Sequence, residues 1–499
     1  MPKTLRPKAL RALHLLAAAI TGALSFAGAS ASELTIAPET MVRIGTIDER
    51  FQSYNIEMVE VTGGRFWKPY DSPSQPRSDL FEYRPPIDLA NTKLRRLASA
   101  LAPAYLRVSG TWANATYFAD PDSASRPPPG FDDVLSREQW RGVVDFSKAV
   151  GATIVTSFAV SAGTRDAAGV WFPDQARRLL TYTQTIGGRI VAAEFMNEPN
   201  VAASGGTAAS DDLASYARDF RAFVALMKES FPEILILGPG TVGEAASAAQ
   251  LLASAAGSID AISYHYYGTL SERCSGRNSS AEALSETRLA ETDRTLAFYQ
   301  SLRDSLAPGK PIWLTETAEA ACGGNRWDVT FLDTFRYLDQ LGRLAAGGVQ
   351  VVMHNTLAAS DYGLLDQRTL EPRPNFWGAL LWRRLMGDIV LDAGVAAASG
   401  LRVYAHCQRG KPGGVSVLVI NVGRAPHELI LPVTAERYVL QAPRVQDKGV
   451  LLNGVPLQTD PHGNLPQIAA MQAAPGTLTI APATITFLAV PEAANKACQ

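Results

Sequence analysis

A chain of 499 residues with 46% hydrophobic and 19% charged positions has the apolar content for one large core and a smaller one, which excludes a disordered, collagen-like or membrane-embedded protein. The formal net charge is −2, and loss of residues 1–31, with four cations and no anions, would take it to −6. No globally basic surface is left for nucleic acid, and a polyanionic substrate would need a local basic groove.

In chain order, Lys3, Arg6, Lys8 and Arg11 precede the apolar run "ALHLLAAAITGALSFAGA" and the small residues Ala29-Ser30-Ala31. That order is the one found in a cleavable secretory signal, and the run is too short and too rich in Ala and Gly to favour the alternative of a membrane anchor. Residues 1–31 are therefore expected to be removed and the mature chain to be secreted or periplasmic. Residues 32–48, "ELTIAPETMVRIGTI" among them, have no place in the repeat that follows and are expected to add a strand to a C-terminal sheet domain.

From 49 to 388 one rhythm recurs: a short β-branched run, a polar or Gly turn, then an amphipathic stretch. The runs are "FQSYNIEM", "AYLRVSG", "ATIVTSFAV", "RIVAAEF", "EILILGPG", "DAISYHYY", "PIWLTET" and "VQVVMHN", and segments such as "QARRLLTYTQTIGG" and "VTFLDTFRYLDQLGRLAAGG" lie between them. Eight alternating strand and helix units predict a parallel (β/α)8 barrel of the TIM type. From 389 to 499 the runs "LRVYAHCQ", "GVSVLVINVG", "HELILPV", "ERYVLQAP", "GVLLNGVPL", "GTLTIAP" and "ATITFLAV" are short, alternate, and are separated by Gly, Pro and Asn. They predict an antiparallel β-sandwich.

Residues at the C-terminal ends of barrel strands are functional candidates by position. Glu198, in "EFMNEPN", follows the fourth run and Glu316, in "WLTET", ends the seventh. Two carboxylates across one barrel mouth can flank a glycosidic bond, one as proton donor and one as nucleophile. Glu198 suits the acid, because the neighbouring Asn197 can position substrate hydroxyls without adding charge and a strand tip allows the partial burial that raises a carboxyl pKa. Tyr266, at the end of the sixth run, is expected to donate its hydroxyl to Glu316, and Arg107, on the second, to hold Glu316 ionised by charge. His265 is a weaker candidate, since a lone His beside aromatics is more often a hydrogen-bonded core residue. The chain shows no P-loop, no GxGxxG loop, no Ser-His-Asp arrangement and no CxxC or Cys/His cluster of zinc-site spacing, so no metal or organic cofactor is implied.

Taken together and in order, "LAPAYLRVSGT", "NEPN", "SYHYY", "IWLTETAEAACGG" and "VVMHNTLAASDYGLLD" resemble glycoside hydrolase family 79, heparanase and its bacterial relatives. The resemblance runs from about Phe51 to the end of the chain. It implies a retaining endo- or exo-β-glucuronidase with Glu198 as acid/base and Glu316 as nucleophile, the endo-acting form on heparan sulfate being favoured. It also implies that the sugar carboxylate is held by backbone amides at Gly323 and Gly324 and by Tyr362, and that Glu57 stands where the family has an Asp near the bound sugar. Backbone N–H groups and a phenol can satisfy a carboxylate without an Arg.

Three departures matter. The long linker that vertebrate heparanase excises is replaced by the short "ADPDSASRPPPGFDDV", a basic pair after the fifth strand by "GTVGEAAS", and a basic position after the second by Trp112. Activity is thus expected without proteolytic cutting, and glucuronate in the reactive position is better supported than a sulfated polymer. The expected partner is a glucuronate-containing glycan bound by a monomer, with no nucleic acid and no membrane span. Cys274, Cys322, Cys407 and Cys498 suit an oxidising compartment and allow three connectivities. Cys407 with Cys498 follows the resemblance and would tie the opening sandwich strand to the chain's end. Cys274 with Cys322 is expected from the adjacency of the loops after strands six and seven.

Overall fold

The computed structural model describes residues 34–74, 78–119, 126–204, 213–395 and 400–499. The expected signal segment, 1–31, lies outside them, as does part of the short linker. Among the described residues no helix is long and apolar enough to cross a membrane.

Eight parallel strands close a barrel: β1 (Gln52–Glu57), β2 (Ala104–Ser109), β3 (Ala152–Thr156), β4 (Ile190–Glu194), β5 (Leu235–Val242), β6 (Ala261–Leu270), β7 (Ile312–Ala321) and β8 (Val351–His354). Each neighbours the next around the ring, and each falls on one of the eight β-branched runs. Most of their residues are buried because inward side chains fill the barrel and outward ones meet a helix layer. The helix Arg137–Val150 shows how local sequence sets that layer. Ser136 accepts from the Gln139 backbone, Gln139 returns the bond, Gly151 closes the helix with a φ of +65°, and Trp140, Val143, Val144 and Phe146 form the buried stripe.

The helix Pro374–Leu385 runs directly into the strand Met386–Leu391, which pairs with Leu401–Gln408 on one side and Arg43–Thr46 on the other. These open a nine-stranded sheet that continues through Val415–Asn421, Thr484–Val490 and Ala435–Gln441. A second, three-stranded sheet joins Leu34–Thr35, His427–Leu431 and Gly476–Ile480. Between the two sheets lies a core of Ile36, Leu401, Val417, Val419, Leu429, Leu431, Ile480 and Leu488. The other face of the large sheet, with Leu418, Ile420, Ile485 and Phe487, joins the barrel's own core. Val415–Asn421 and Thr484–Val490 are therefore buried at every residue, and the alternation expected of a half-exposed strand is missing there.

Barrel and sandwich interlock through specific shapes. Gly342, in the helix Phe331–Ala346, lets the Tyr404 ring lie where a Cβ would come within 2.4 Å of it, and the Tyr404 hydroxyl donates to Asp339 at 2.6 Å. Cys407 is bonded to Cys498 and Cys274 to Cys322. The Cys407–Cys498 bridge closes 91 residues of chain, nearly the whole sandwich, so its main effect falls on the unfolded state. Replacing both cysteines by Ala should lower unfolding free energy by about 2–5 kcal/mol in a denaturant titration with little change in the native circular dichroism.

Candidate active site

Arg107 projects from β2 into the barrel and is fully buried. A guanidinium there is tolerable only if its donors and its charge are matched. Its Nε and Nη2 donate to Glu194 Oε2 at 3.0 and 2.8 Å, Nη2 also to Asn197 Oδ1 at 2.8 Å, and Nη1 to Glu316 Oε2 at 2.9 Å. Burial would lower the Arg107 pKa, but Glu194 and Glu316 outweigh it and raise it. Burial likewise pushes the Glu194 carboxyl up, and Arg107 more than reverses this, leaving it below the ordinary range. Thr315 fixes the second Glu194 oxygen at 2.8 Å.

The chain turns sharply after β4. Asn114 grips the backbone of Asn197, accepting from its N–H and donating to its carbonyl, each at 2.9 Å. Glu198 follows with a φ of +46°, a region that non-glycine residues enter at a cost, and Pro199 begins the next short helix. This strained turn aims Glu198 at the cleft. Its Oε1 meets His265 Nδ1 at 3.0 Å, while His265 Nε2 faces Arg107 Nη2 at 3.3 Å. Arg has no acceptor, so Nε2 must accept and Nδ1–H donates to Glu198. Burial opposes a second proton on the ring, whereas Glu316 and Glu198 attract one and raise its pKa. Burial also raises the Glu198 carboxyl, with Glu316 acting in the same sense and the His265 bond against it.

Glu316 faces this group from β7. Oε2 takes the Arg107 bond, and Oε1 accepts from the Tyr267 hydroxyl at 2.5 Å. Burial, and then the Glu316 charge, lift the Tyr267 pKa far above that of a free phenol, so it remains a donor. One atom each of Glu198, His265 and Glu316 lie within 4.8 Å of one another. A cation would have to displace bonds on all three and sit beside the Arg107 charge, so the trio is poorly matched to a metal.

The cleft in front of these groups has a volume of about 780 Å³, with Val59, Trp67, Phe81 and Trp112 among its walls and Glu57, Asn355 and Tyr362 at its floor. Asn355 Nδ2 donates to Glu57 Oε1 and to Tyr267 Oη at 3.0 Å each, and the Tyr362 hydroxyl lies 3.5 Å away. Burial and then the Glu316 charge raise the Glu57 carboxyl well above its usual pKa and favour its protonated form. Gly110, at a φ of +90°, makes room for it, since a Cβ there would come within 1.5 Å of Glu57 Oε2. Gly323 and Gly324, at φ +82° and +90°, are packed under the cleft wall next to Cys322, which lines it. A Cβ on Gly323 would meet Trp67 at 2.4 Å.

The structure thus brings Glu57, Arg107, Asn197, Glu198, His265, Glu316 and Tyr362 to one end of the barrel, with Gly323 and Gly324 beside them. Tyr266 is the exception and the expectation for it is corrected. The pairing of β6 with β7 shifts register between Tyr264 and His265, which sets His265 opposite Glu316. Side chains alternate from there, so Tyr267 points inward and Tyr266 outward, to a hydrogen bond with Thr292. Glu194, Asn114, Tyr267 and Asn355 belong to the site and were not singled out by their sequence setting. A carboxylate inside the apolar run "VAAEF" was the available signal for Glu194.

Residues 86–342 match the model of the N-terminal domain of glycosyl hydrolase family 79. The chain belongs to that family. Among relatives of this family 79 chain, heparanase of Bos taurus is 28% identical over 478 residues, covering 82% of this chain and 86% of the relative. Hyaluronoglucuronidase of Hirudo nipponia is 26% identical over 464 residues, covering 83% and 92%. Among solved structures, the 4-O-α-L-rhamnosyl-β-D-glucuronidase of Fusarium oxysporum superposes with a TM-score of 0.64 at 14% identity, covering 92% of this chain and 100% of that one. The α-L-arabinofuranosidase of Thermotoga maritima gives 0.64 at 15% identity, covering 92% and 99%. These two share the barrel-and-sandwich fold. As a family 79 member the protein is a glycoside hydrolase.

The β6 register carries a direct consequence. Tyr267→Phe removes a charge-assisted bond to Glu316 and should lower kcat by about 10- to 100-fold, whereas Tyr266→Phe, one residue away, should change it less than about twofold in steady-state hydrolysis of an aryl glycoside.

Proposed function

We propose that this family 79 hydrolase is an exported, monomeric, retaining β-glucuronidase that cuts β-glucuronidic bonds within uronate-containing glycans, as heparanase-like enzymes do on heparan sulfate. The observation that carries the reading is the facing pair. Burial favours the proton on Glu198, and Glu316 is held by Arg107 and Tyr267 with an oxygen within 4.8 Å of Glu198. Retaining pairs lie about 5–5.5 Å apart, too close to admit a water between them, so Glu316 attacks the anomeric carbon while Glu198 protonates the leaving oxygen. Glu198 then takes a proton from water to release the sugar, with His265 Nδ1–H steadying the carboxylate form. The relatives' names, heparanase and hyaluronoglucuronidase, support glucuronate as the reacting sugar. The signal-like order of residues 1–31 supports export.

Among the described lining residues Arg65 is the one cation, against Asp132, Asp133 and Glu316, while burial favours the protonated forms of Glu57 and Glu198. That balance supports glucuronate flanked by few sulfates rather than a densely sulfated stretch. The glucuronate carboxylate is assigned to the backbone of Gly323 and Gly324 and to the Tyr362 hydroxyl, which burial keeps protonated and so able to donate.

Proton NMR of the first-formed product from an aryl β-glucuronide should show the β-anomer, and inversion would overturn the mechanism. Glu316→Gln should lose nearly all turnover, while Glu198→Gln should still react with substrates bearing excellent leaving groups and be accelerated by azide. Product sizes from a glucuronate polymer decide internal cutting, and release of single glucuronates alone would replace it by terminal trimming.

Tyr362→Phe removes one charge-assisted bond, typically about 1.5–3 kcal/mol, so kcat/KM for the aryl β-glucuronide should fall about 10- to 100-fold. The much weaker β-glucoside rate should barely change. Equal loss on both substrates would take Tyr362 out of the carboxylate site.

A further inference from the structure

Glu194 is a buried carboxylate that the double displacement does not use. It ends β4, four residues before Glu198, yet it lines no part of the cleft and touches no position open to substrate. Its hydrogen bonds to Arg107 and Thr315 lead to groups that do. Oε2 takes two of the Arg107 bonds, Oε1 takes the hydroxyl of Thr315, the residue next to Glu316, and His265 Nε2 stands 3.9 Å from Oε1. On β5, Gly240 at a φ of +68° leaves the space, since a Cβ there would approach Glu194 Oε1 to 3.1 Å.

Arg107 therefore serves two carboxylates with one charge. We propose that Glu194 is a positioning residue that fixes the Arg107 guanidinium and shares its charge with Glu316, so that Arg107 orients the nucleophile without neutralising the site.

The argument is one of charge balance. In direct contact, Glu194 and Glu316 set two negative charges against the one positive charge of Arg107, a net of one negative charge. Around Glu194 the charged or titratable groups are Arg107 from β2, His265 from β6, and Tyr216 from the helix Leu213–Ser230, whose phenol it pushes up along with burial. Beyond Arg107 lie Glu316 from β7, Glu57 from β1 and Glu198 after β4. The net negative charge favours protons throughout this group, including the one Glu198 must deliver to the leaving oxygen. Without the Glu194 charge, Arg107 would act on Glu316 alone, and every nearby carboxyl would release its proton at lower pH. A unit charge at this depth moves a neighbour's titration by about one pH unit or more.

The inference rests on the retaining reading, and its test separates the two. In Glu194→Gln both limbs of the kcat/KM profile for an aryl β-glucuronide should move to lower pH by about one unit, with a maximum about 10- to 100-fold below wild type as Arg107 loses its orientation. Glu194→Asp keeps the charge but shortens the reach, so its maximum should fall while both limbs stay at the wild-type positions. A merely structural role predicts lower activity at unchanged limbs in Glu194→Gln, and that result overturns the proposal. If Glu194→Gln does not fold, Glu194→Asp decides, because an acid shift of its limbs equally overturns it. Wild type without any glucuronidase activity would instead overturn the retaining reading.

Discussion

One guanidinium buried on the barrel axis organises this site. Arg107 is surrounded by Glu194 and Asn197, from β4 and the turn after it, and by Glu316 from β7, and the two carboxylates stabilise its buried charge. Removing either carboxylate would leave donors of a buried charge unpaired, a larger cost than an unmade neutral hydrogen bond. The barrel closure that brings β2, β4 and β7 to one axis and the chemistry at its mouth are thus one constraint. Glu198, in the turn after β4, and Glu316, on β7, keep their relative geometry through this shared centre.

Around that centre the site separates protonation states with neighbours rather than with a metal. Glu57, Glu198 and Glu316 are crowded together, and burial makes it unfavourable for all three to be charged. Burial favours the protonated form of Glu57, whose carboxyl is anchored by the Asn355 amide. Glycines make the crowding possible. Gly110 admits the Glu57 carboxyl, and the Gly323-Gly324 turn lies against Trp67 and Ser360 with no room for a Cβ. The Cys274–Cys322 bridge joins the loops after β6 and β7 next to that turn.

Much of this was legible in the sequence for identifiable reasons. All eight barrel strands could be read because each is a short β-branched run closed by a polar or Gly turn, and the strand tips then marked Glu198 and Glu316. Tyr266 was misread because strand alternation is reckoned from a register, and the β6–β7 irregularity at His265 cannot be seen in "SYHYY". Asn114 and Asn355 reach the site from a turn after β2 and from the end of β8, and only the fold shows that they meet it. The two central sandwich strands looked half-exposed because their second partner, the barrel, is remote in sequence.

Retention rests on Glu316 forming a covalent bond to the sugar. A 2-deoxy-2-fluoro-β-glucuronide with a good leaving group slows release of such an intermediate more than its formation, so the label accumulates and can be mapped by mass spectrometry of peptides from the intact enzyme. One sugar per chain is expected, attached at Glu316, with inactivation that a competing glucuronide slows. A label on Glu198 or Glu57, or continued turnover of the probe with no label at all, would contradict that assignment.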